Sequence, residues 1–222
     1  MLVPRESHLT RTAAEGMLEH FEEQRRHIGR AHQFRNKICH LSKVGINELG
    51  KGSIFEAEIR FTECQMAFDE LEKLNLPEDK MWEFRNDAAQ EMIELMVLIK
   101  FYPSLIGDDS EPQIPDDQEM VVPETAWLAG IADAAGEINK LIVDIEFNQV
   151  VPQALIAGVY ESGVTVIQKM AKILDKFALV YPLVVSNTRR RGQGFSSKLR
   201  YVRMAELRAK ENVIKLRRMS HN

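Results

Sequence analysis

Two glutamates in the stretch QEMIELMVLIKFY could do chemistry because their helix leaves them little contact with water. Glu91 and Glu94 are three residues apart and share one face of a helix. Apolar side chains surround that helix on nearly every side, which predicts that it is buried. A buried carboxylate is costly unless it pairs with a base or binds a cation. The pattern therefore leaves two alternatives, an ion pair with Arg or Lys of a neighbouring helix or a bound metal ion.

A second acidic pair, Asp133 and Glu137, lies in the stretch DAAGEINKLIVD. On a helix these two residues, Lys140 and Asp144 form one hydrophilic stripe. The stripe by itself is also typical of a solvated face, on which Glu137 pairs with Lys140 and all four residues face water. The opposite side is apolar and predicts a core-facing surface made of Leu128, Ile131, Ala135, Ile138, Ile142 and Ile145.

Together, the two acidic pairs indicate a metal site more strongly than either pair does alone. If their helices pack antiparallel, the four carboxylates can converge on one or two Mg²⁺ or Mn²⁺ ions, which take oxygen ligands and keep several waters. Such ions polarise a phosphoryl oxygen and lower the pKa of a bound water. Hydrolysis of a phosphodiester bond would then need little else from the protein.

Other chemistries find less support. The sequence has no ExxH motif for a di-iron centre and neither of the glycine-rich phosphate loops, GxxxxGK[ST] or GxGxxG. The six histidines show no partner pattern. Cys39 and Cys64 have no CxxC spacing, so neither a zinc site nor a disulfide framework is indicated, and a reducing compartment fits best.

Long helical patterns dominate the chain and predict an all-α fold, a single domain over residues 1–222 built as a bundle of six to seven long helices. Ser53 can cap the second helix, with Glu56 placed to complete a capping box. Pro103 should end the third helix. The predicted helices cover residues 12–49, 53–74, 77–102, 124–148, 152–181 and 196–219.

Charge is distributed unevenly although the net charge is only -4. The segment 102–124 is an acidic, proline-rich loop, whereas the C-terminal segment 188–222 is basic, with eleven Lys and Arg against two Glu. A basic helix can attract nucleic acid, although it is more often a solvated face. No apolar run is long enough to span a bilayer and no apolar leader is present, so we expect a soluble, cytoplasmic protein.

Three stretches resemble the translin family, and within it translin-associated factor X. QEMIELMVLIKF is similar to that factor's ExxE helix, TAWLAGIADAAGEINKLIVD to its Y-L-x-G-V-A-D-x-x-G-E helix, and LRAKENVIKLRR to its closing helix. The order of helices agrees over roughly residues 25–218. The resemblance implies an all-α fold, assembly into a hollow octamer-like shell, alone or with a translin-like partner, and Mg²⁺-dependent endoribonuclease activity on its inner surface.

The family's catalytic and metal-binding acids fall on Glu91, Glu94, Asp133 and Glu137. The full set favours the catalytic branch, because translin itself lacks it. RNA, single-stranded or duplex, or single-stranded DNA would be held through its backbone by Lys and Arg. The candidates for these contacts are Arg35, Lys43 and Arg85, and the alternative for each is a solvated or ion-paired base.

Two other functions stay open at this stage. All-α nucleoside triphosphate pyrophosphohydrolases also use paired acidic helices with Mg²⁺, although they usually begin with a doubled Glu where this chain has Gln90 before Glu91. A non-catalytic module that only binds RNA or DNA is the second alternative.

Overall fold

The computed structural model describes residues 6–107, 122–180 and 195–219, and within them the chain forms α-helices and no β-strand. Buried side chains from every helix belong to one hydrophobic cluster. The predicted all-α bundle in a single domain is therefore confirmed. Its helices are α1 (Glu6–Gly50), α2 (Ile54–Glu72), α3 (Glu78–Leu105), α4 (Glu124–Phe147), α5 (Ile156–Val180), which follows a 3-10 turn at Gln153–Leu155, and α6 (Phe195–Met219).

The third helix continues past Pro103, so the predicted stop at this residue is wrong. A proline removes one backbone donor and strains the preceding turn. Here it lies in the last turn, where little of the helix remains to be disrupted. Leu105 is completely buried, and the backbone N–H of Ile106 still donates to the carbonyl of Tyr102 at 3.2 Å. Burial of the last turn in the core outweighs the lost hydrogen bond.

The turn between α1 and α2 lies where the sequence places it, but its predicted capping box is absent. Ser53 is the N-cap residue of α2, yet its side chain makes no capping hydrogen bond. Glu56 instead lies 3.9 Å from the guanidinium of Arg60. Gly52 has a φ of 85°, a left-handed conformation that favours glycine, so backbone geometry sets this turn.

Helices α3 and α4 run in the same direction, so the antiparallel packing that was taken from the sequence as the condition for convergence of the four acids is not the one observed. Near the start of both helices, Thr125 donates to Asn86 at 2.7 Å, and further along both, Gln90 donates to Asp133 at 2.6 Å. Asp133 also bonds to α6 near its start, and Asn139 bonds to the carbonyl of Ala205 further along, so α6 is parallel to α4 as well. Parallel neighbours cannot be joined by a short turn; residues 106–123 separate α3 from α4 in the chain, and α5 lies between α4 and α6.

The core is built around α3 and α4. Every residue of α3 from Met92 to Leu98 is buried, which confirms the prediction for this helix. On α4 all six side chains of the predicted apolar side are buried. Helix α4 contacts α1, α3, α5 and α6, and α3 contacts α1, α2, α4 and α5. The two acidic pairs therefore lie on the two central helices.

Gly130 sets the distance between these two helices. A Cβ atom at this position would lie 2.7 Å from the carbonyl oxygen of Gln90 and 2.7 Å from the Cβ of Ile93. Backbone cannot yield as a flexible side chain can. The close approach at Gly130 therefore brings the acids of α3 against those of α4.

Two segments with predictions from the sequence lie outside the described residues, namely most of the acidic loop 102–124 and the start of the basic segment 188–222. Among the helices that are described, none is long and apolar enough to cross a membrane.

We expect Gly130→Ala to lower the free energy of unfolding by roughly 1–3 kcal/mol, because the added methyl overpacks the contact of α3 with α4. Gly158→Ala on α5 is the matched control, since a Cβ there meets nothing within 4 Å. It should be neutral or stabilising by up to about 1 kcal/mol through helix propensity. Urea unfolding of both variants measures the difference, and equal stabilities would contradict the close approach.

Candidate metal and nucleic-acid site

Glu91, Glu94, Asp133 and Glu137 all border one cavity of about 620 Å³. Helices α3 and α4 supply these acids, while α1 and α6 complete the walls. The cavity thus combines four carboxylates with three lysine side chains and one aromatic ring. Its remaining lining residues are Lys43, Ile46, Lys140, Ser197, Lys198 and Tyr201.

Glu94 is the most buried of the four acids, with 8% of the residue exposed. Burial raises its pKa to about 8, and the nearby charges of Asp133, Glu91 and Glu137 add to the rise. Burial is also the main cause that raises the pKa of Glu91, opposed first by the charge of Lys43. The cavity therefore concentrates negative charge where water does little to screen it.

Asp133 is bound by two neighbours. The ammonium of Lys198 lies 2.8 Å from its Oδ1 and 2.7 Å from its Oδ2, and the side-chain amide of Gln90 donates to Oδ2 at 2.6 Å. Only 13% of the Lys198 side chain is exposed, against 28% for Asp133. This ion pair joins α6 to α4 at the wall of the cavity.

Glu137 has the partner that the solvated-face alternative names, because the ammonium of Lys140 lies 3.5 Å from its carboxylate. The pair is open to solvent on the lysine side, where 65% of the side chain is exposed, against 34% for Glu137. Lys140 borders the cavity as well, whereas Asp144 does not line it. The first three of the four residues in the hydrophilic stripe of α4 thus line the cavity.

Of the three predicted RNA-binding bases, Lys43 alone lines the cavity. Arg35 lies 3.3 Å from Asp87, and Arg85 lies 2.8 Å from Glu72. Arg35 borders a second, smaller cavity between α1 and α3. The ion-paired alternative therefore describes Arg35 and Arg85 in this structure, and their contact with RNA stays a prediction.

Sequence reasoning missed the contribution of α6. The basic C-terminal segment was expected to attract nucleic acid or, more often, to be a solvated face, whereas Lys198 and Tyr201 line the cavity of the acids. Tyr201 can do so because α4 has a glycine opposite it, and a Cβ at Gly136 would lie 2.3 Å from the ring carbon Cε1. The only signals in the sequence were the basic composition of α6 and the glycine between the two acids of α4.

The donor set suits a hard divalent cation, but the positions of the donors suit it only in part. All four acids offer oxygen ligands, which Mg²⁺ and Mn²⁺ prefer. Glu94 lies among like charges, and no ion pair of a described residue includes it. As they stand, however, no three Asp, Glu, His or Cys side chains in the described part of the chain form a group that could hold a metal ion. A cation would need the carboxylates to turn together and Lys198 to release Asp133.

Solved structures share this fold. The chain is similar to the crystal structure of AfC3PO, with a TM-score of 0.68 and 20% identity over 95% of this chain and 100% of that chain. A structure of AfC3PO in complex with duplex RNA matches with a TM-score of 0.67 and 21% identity, over 95% of this chain and 99% of that chain. The crystal structure of apo-NeC3PO matches with a TM-score of 0.51 and 18% identity, over 96% of this chain and 98% of that chain. No protein-family model and no curated protein matches the chain. The likeness confirms the expected translin-like fold.

The raised pKa of Glu94 predicts how the stability of the metal-free protein depends on pH. Between its ordinary value of 4.5 and about 8, the folded protein holds a proton that the unfolded chain has released. Stability should therefore fall as pH rises through this range, by up to about 5 kcal/mol. Glu94→Gln removes the titrating group and should make the free energy of unfolding depend less on pH in this range.

Urea unfolding in EDTA at pH 5 and pH 8.5 measures this effect. Asp144→Asn, on the same stripe of α4 but outside the cavity, is the control and should keep the wild-type pH dependence. Parallel pH profiles for the wild type and Glu94→Gln would show that Glu94 does not titrate with a raised pKa.

Proposed function

We propose that this protein is an RNA-binding, Mg²⁺-dependent endoribonuclease of the translin family, on the branch of translin-associated factor X, and that it acts in the cytoplasm. One observation carries the proposal. Four carboxylates from two parallel, tightly packed central helices converge on one cavity, and the most buried of them lies among like charges. A protein core gains nothing in stability from such an arrangement, so a function is needed to explain it.

The chemistry of the cavity suits a phosphodiester substrate. Asp133 and Glu137, with one or both of Glu91 and Glu94, would hold Mg²⁺, with Mn²⁺ as the alternative. When bound, the cation supplies polarisation of a phosphoryl oxygen and a bound water of lowered pKa. A carboxylate left free of the cation would orient the attacking water and accept its proton, and Lys43 would bind a phosphate of the substrate backbone.

RNA is the substrate class that the comparisons favour. AfC3PO, whose fold this chain shares, has been solved in complex with duplex RNA. Lysines at the cavity wall can hold a sugar-phosphate backbone without reading its sequence. We therefore extend RNA binding to this chain, with duplex RNA, single-stranded RNA and single-stranded DNA as the substrates to compare.

Assembly into a hollow, octamer-like shell, alone or with a translin-like partner, belongs to the same proposal. The single chain leaves large apolar side chains exposed on the first part of α1 and along one side of α6. Exposed apolar groups of this kind mark surfaces for association. They are Met17, Leu18 and Phe21 on α1, and Tyr201, Met204, Leu207 and Ile214 on α6.

Glu94→Gln and Asp133→Asn should each reduce RNA cleavage in Mg²⁺ by roughly 10²-fold or more, the scale for removing one group that stabilises a transition state. Both changes keep side-chain size, so oligomer size should not change and RNA should still bind in EDTA. Gel assays with labelled RNA and single-stranded DNA measure cleavage, and Asp144→Asn is the control that should retain it.

Wild-type cleavage rates in both variants would contradict the assignment of the acids. A nucleotide panel, assayed for pyrophosphate in parallel, addresses the other enzyme class. Release of pyrophosphate without cleavage of RNA would overturn the endoribonuclease proposal. Binding of RNA without any hydrolysis by the wild type would favour the non-catalytic module.

Lys43→Ala should weaken RNA binding and lower the slope of log affinity against log salt concentration by about 1, as expected for the loss of one phosphate contact. Arg85→Ala is the matched comparison, because Arg85 is occupied by Glu72 and lies outside the cavity. An unchanged salt slope for Arg85→Ala would support the ion-paired alternative, whereas a lowered slope would keep Arg85 as an RNA contact. Fluorescence anisotropy over a salt series measures both, and equal slopes for Lys43→Ala and the wild type would remove Lys43 from the RNA site.

A further inference from the structure

The ammonium of Lys198 is bonded to Asp133, one of the residues proposed to hold the metal ion. It contacts both carboxylate oxygens, at 2.8 and 2.7 Å, while Gln90 donates to one of them. A Mg²⁺ ion binds a carboxylate oxygen at about 2.0–2.1 Å. A divalent cation at this distance and the ammonium would repel each other, so the two would compete for Asp133.

Lys198 is also placed where it does not help its own helix. It lies in the first turn of α6, where the helix dipole disfavours a positive charge. Its side chain is 13% exposed, so it is largely withdrawn from water. Both costs are offset by the carboxylates of the cavity, since the charge of Lys198 also acts on Glu91 and Glu94 and opposes the rise in the pKa of each that burial causes.

The other lysines of the cavity are held differently. Lys140 is mostly exposed and lies 3.5 Å from one oxygen of Glu137. Lys43 is exposed and forms no ion pair with any residue that the structure describes. Lys198 is therefore the cavity lysine that is both withdrawn from solvent and bonded to two oxygens of one candidate ligand.

We propose that Lys198 is a built-in competitor for the divalent cation, bound to Asp133 in the metal-free protein and displaced from it when the cation binds. This inference rests on the metal site in the proposed function. The apparent affinity for the cation is then the intrinsic affinity reduced by the free energy of breaking the Lys198–Asp133 pair. The pair balances the charge of Asp133 until a metal ion arrives.

Calorimetric titration of the metal-free protein with Mn²⁺ tests the competition. Lys198→Met keeps the length and apolar stem of the side chain and removes the competing charge. It should bind Mn²⁺ about tenfold more tightly than the wild type, within the usual range of coupling between two ligands. Lys140→Met, which removes an exposed positive charge from the same cavity, is the matched control and should change the affinity much less.

The outcomes separate the competition from the site itself. If Mn²⁺ binds the wild type, and binds Lys198→Met with equal or weaker affinity, the competition is overturned and the metal site is retained. Equal tightening by Lys140→Met and Lys198→Met would also overturn it, since net charge alone would then explain the effect. Absence of Mn²⁺ binding in every form would overturn the metal site and with it the competition.

A measurement on the wild type avoids any loss of folding in the variant. Acetylation by an N-hydroxysuccinimide ester, followed by peptide mass spectrometry, reports how accessible each lysine amine is. Saturating Mn²⁺ should increase the acetylation rate of Lys198 severalfold. Lys210, twelve residues further along α6 and paired with Glu206, should react at the same rate with and without Mn²⁺. An unchanged rate at Lys198 with Mn²⁺ bound would overturn the displacement.

Discussion

A carboxylate buried among other carboxylates is the constraint on which this structure depends. Glu94 is almost inaccessible, and the charges of three further acids act on it, Glu91 from the same helix and Asp133 and Glu137 from α4. Such a group must take up a proton, find a cation or weaken the fold. In the metal-free protein Glu94 takes up a proton at neutral pH, while Asp133 is matched by Lys198. The repulsion between the carboxylates is thus reduced in two ways, by protonation of Glu94 and by the ion pair of Asp133 with Lys198.

The direction of the helices makes this arrangement possible. Parallel packing brings residues at similar depths along α3 and α4 to the same level of the bundle, so that both acidic pairs meet. Gly130 removes the side chain that would keep the two backbones apart, and Gly136 does the same between α4 and Tyr201 of α6. Two glycines on one helix therefore set how closely α3 and α6 approach the acids of α4.

The sequence predicted what depends on local patterns. The apolar side of α4, the burial of the helix around Glu94 and the glycine turn at Gly52 all follow from spacing and backbone preference. Pro103 and Ser53 show where such rules fail, because burial of Leu105 and the geometry of Gly52 outweigh a single hydrogen bond. The contact of Lys198 with Asp133 joins residues far apart in the chain. It depends on the direction and register of α6, which no local pattern encodes.

The charge of the cavity connects metal binding to RNA binding. With Glu94 protonated, the three remaining carboxylates balance the three lysines, so the cavity without a cation offers a phosphate backbone little net attraction. A divalent cation makes that balance positive, and its repulsion of the Lys198 ammonium turns a further positive charge toward the open cavity. The metal ion and the RNA should therefore each raise the affinity for the other by the same factor, since coupling between two ligands is reciprocal. The acids that hold the cation would then also determine when the cavity accepts RNA.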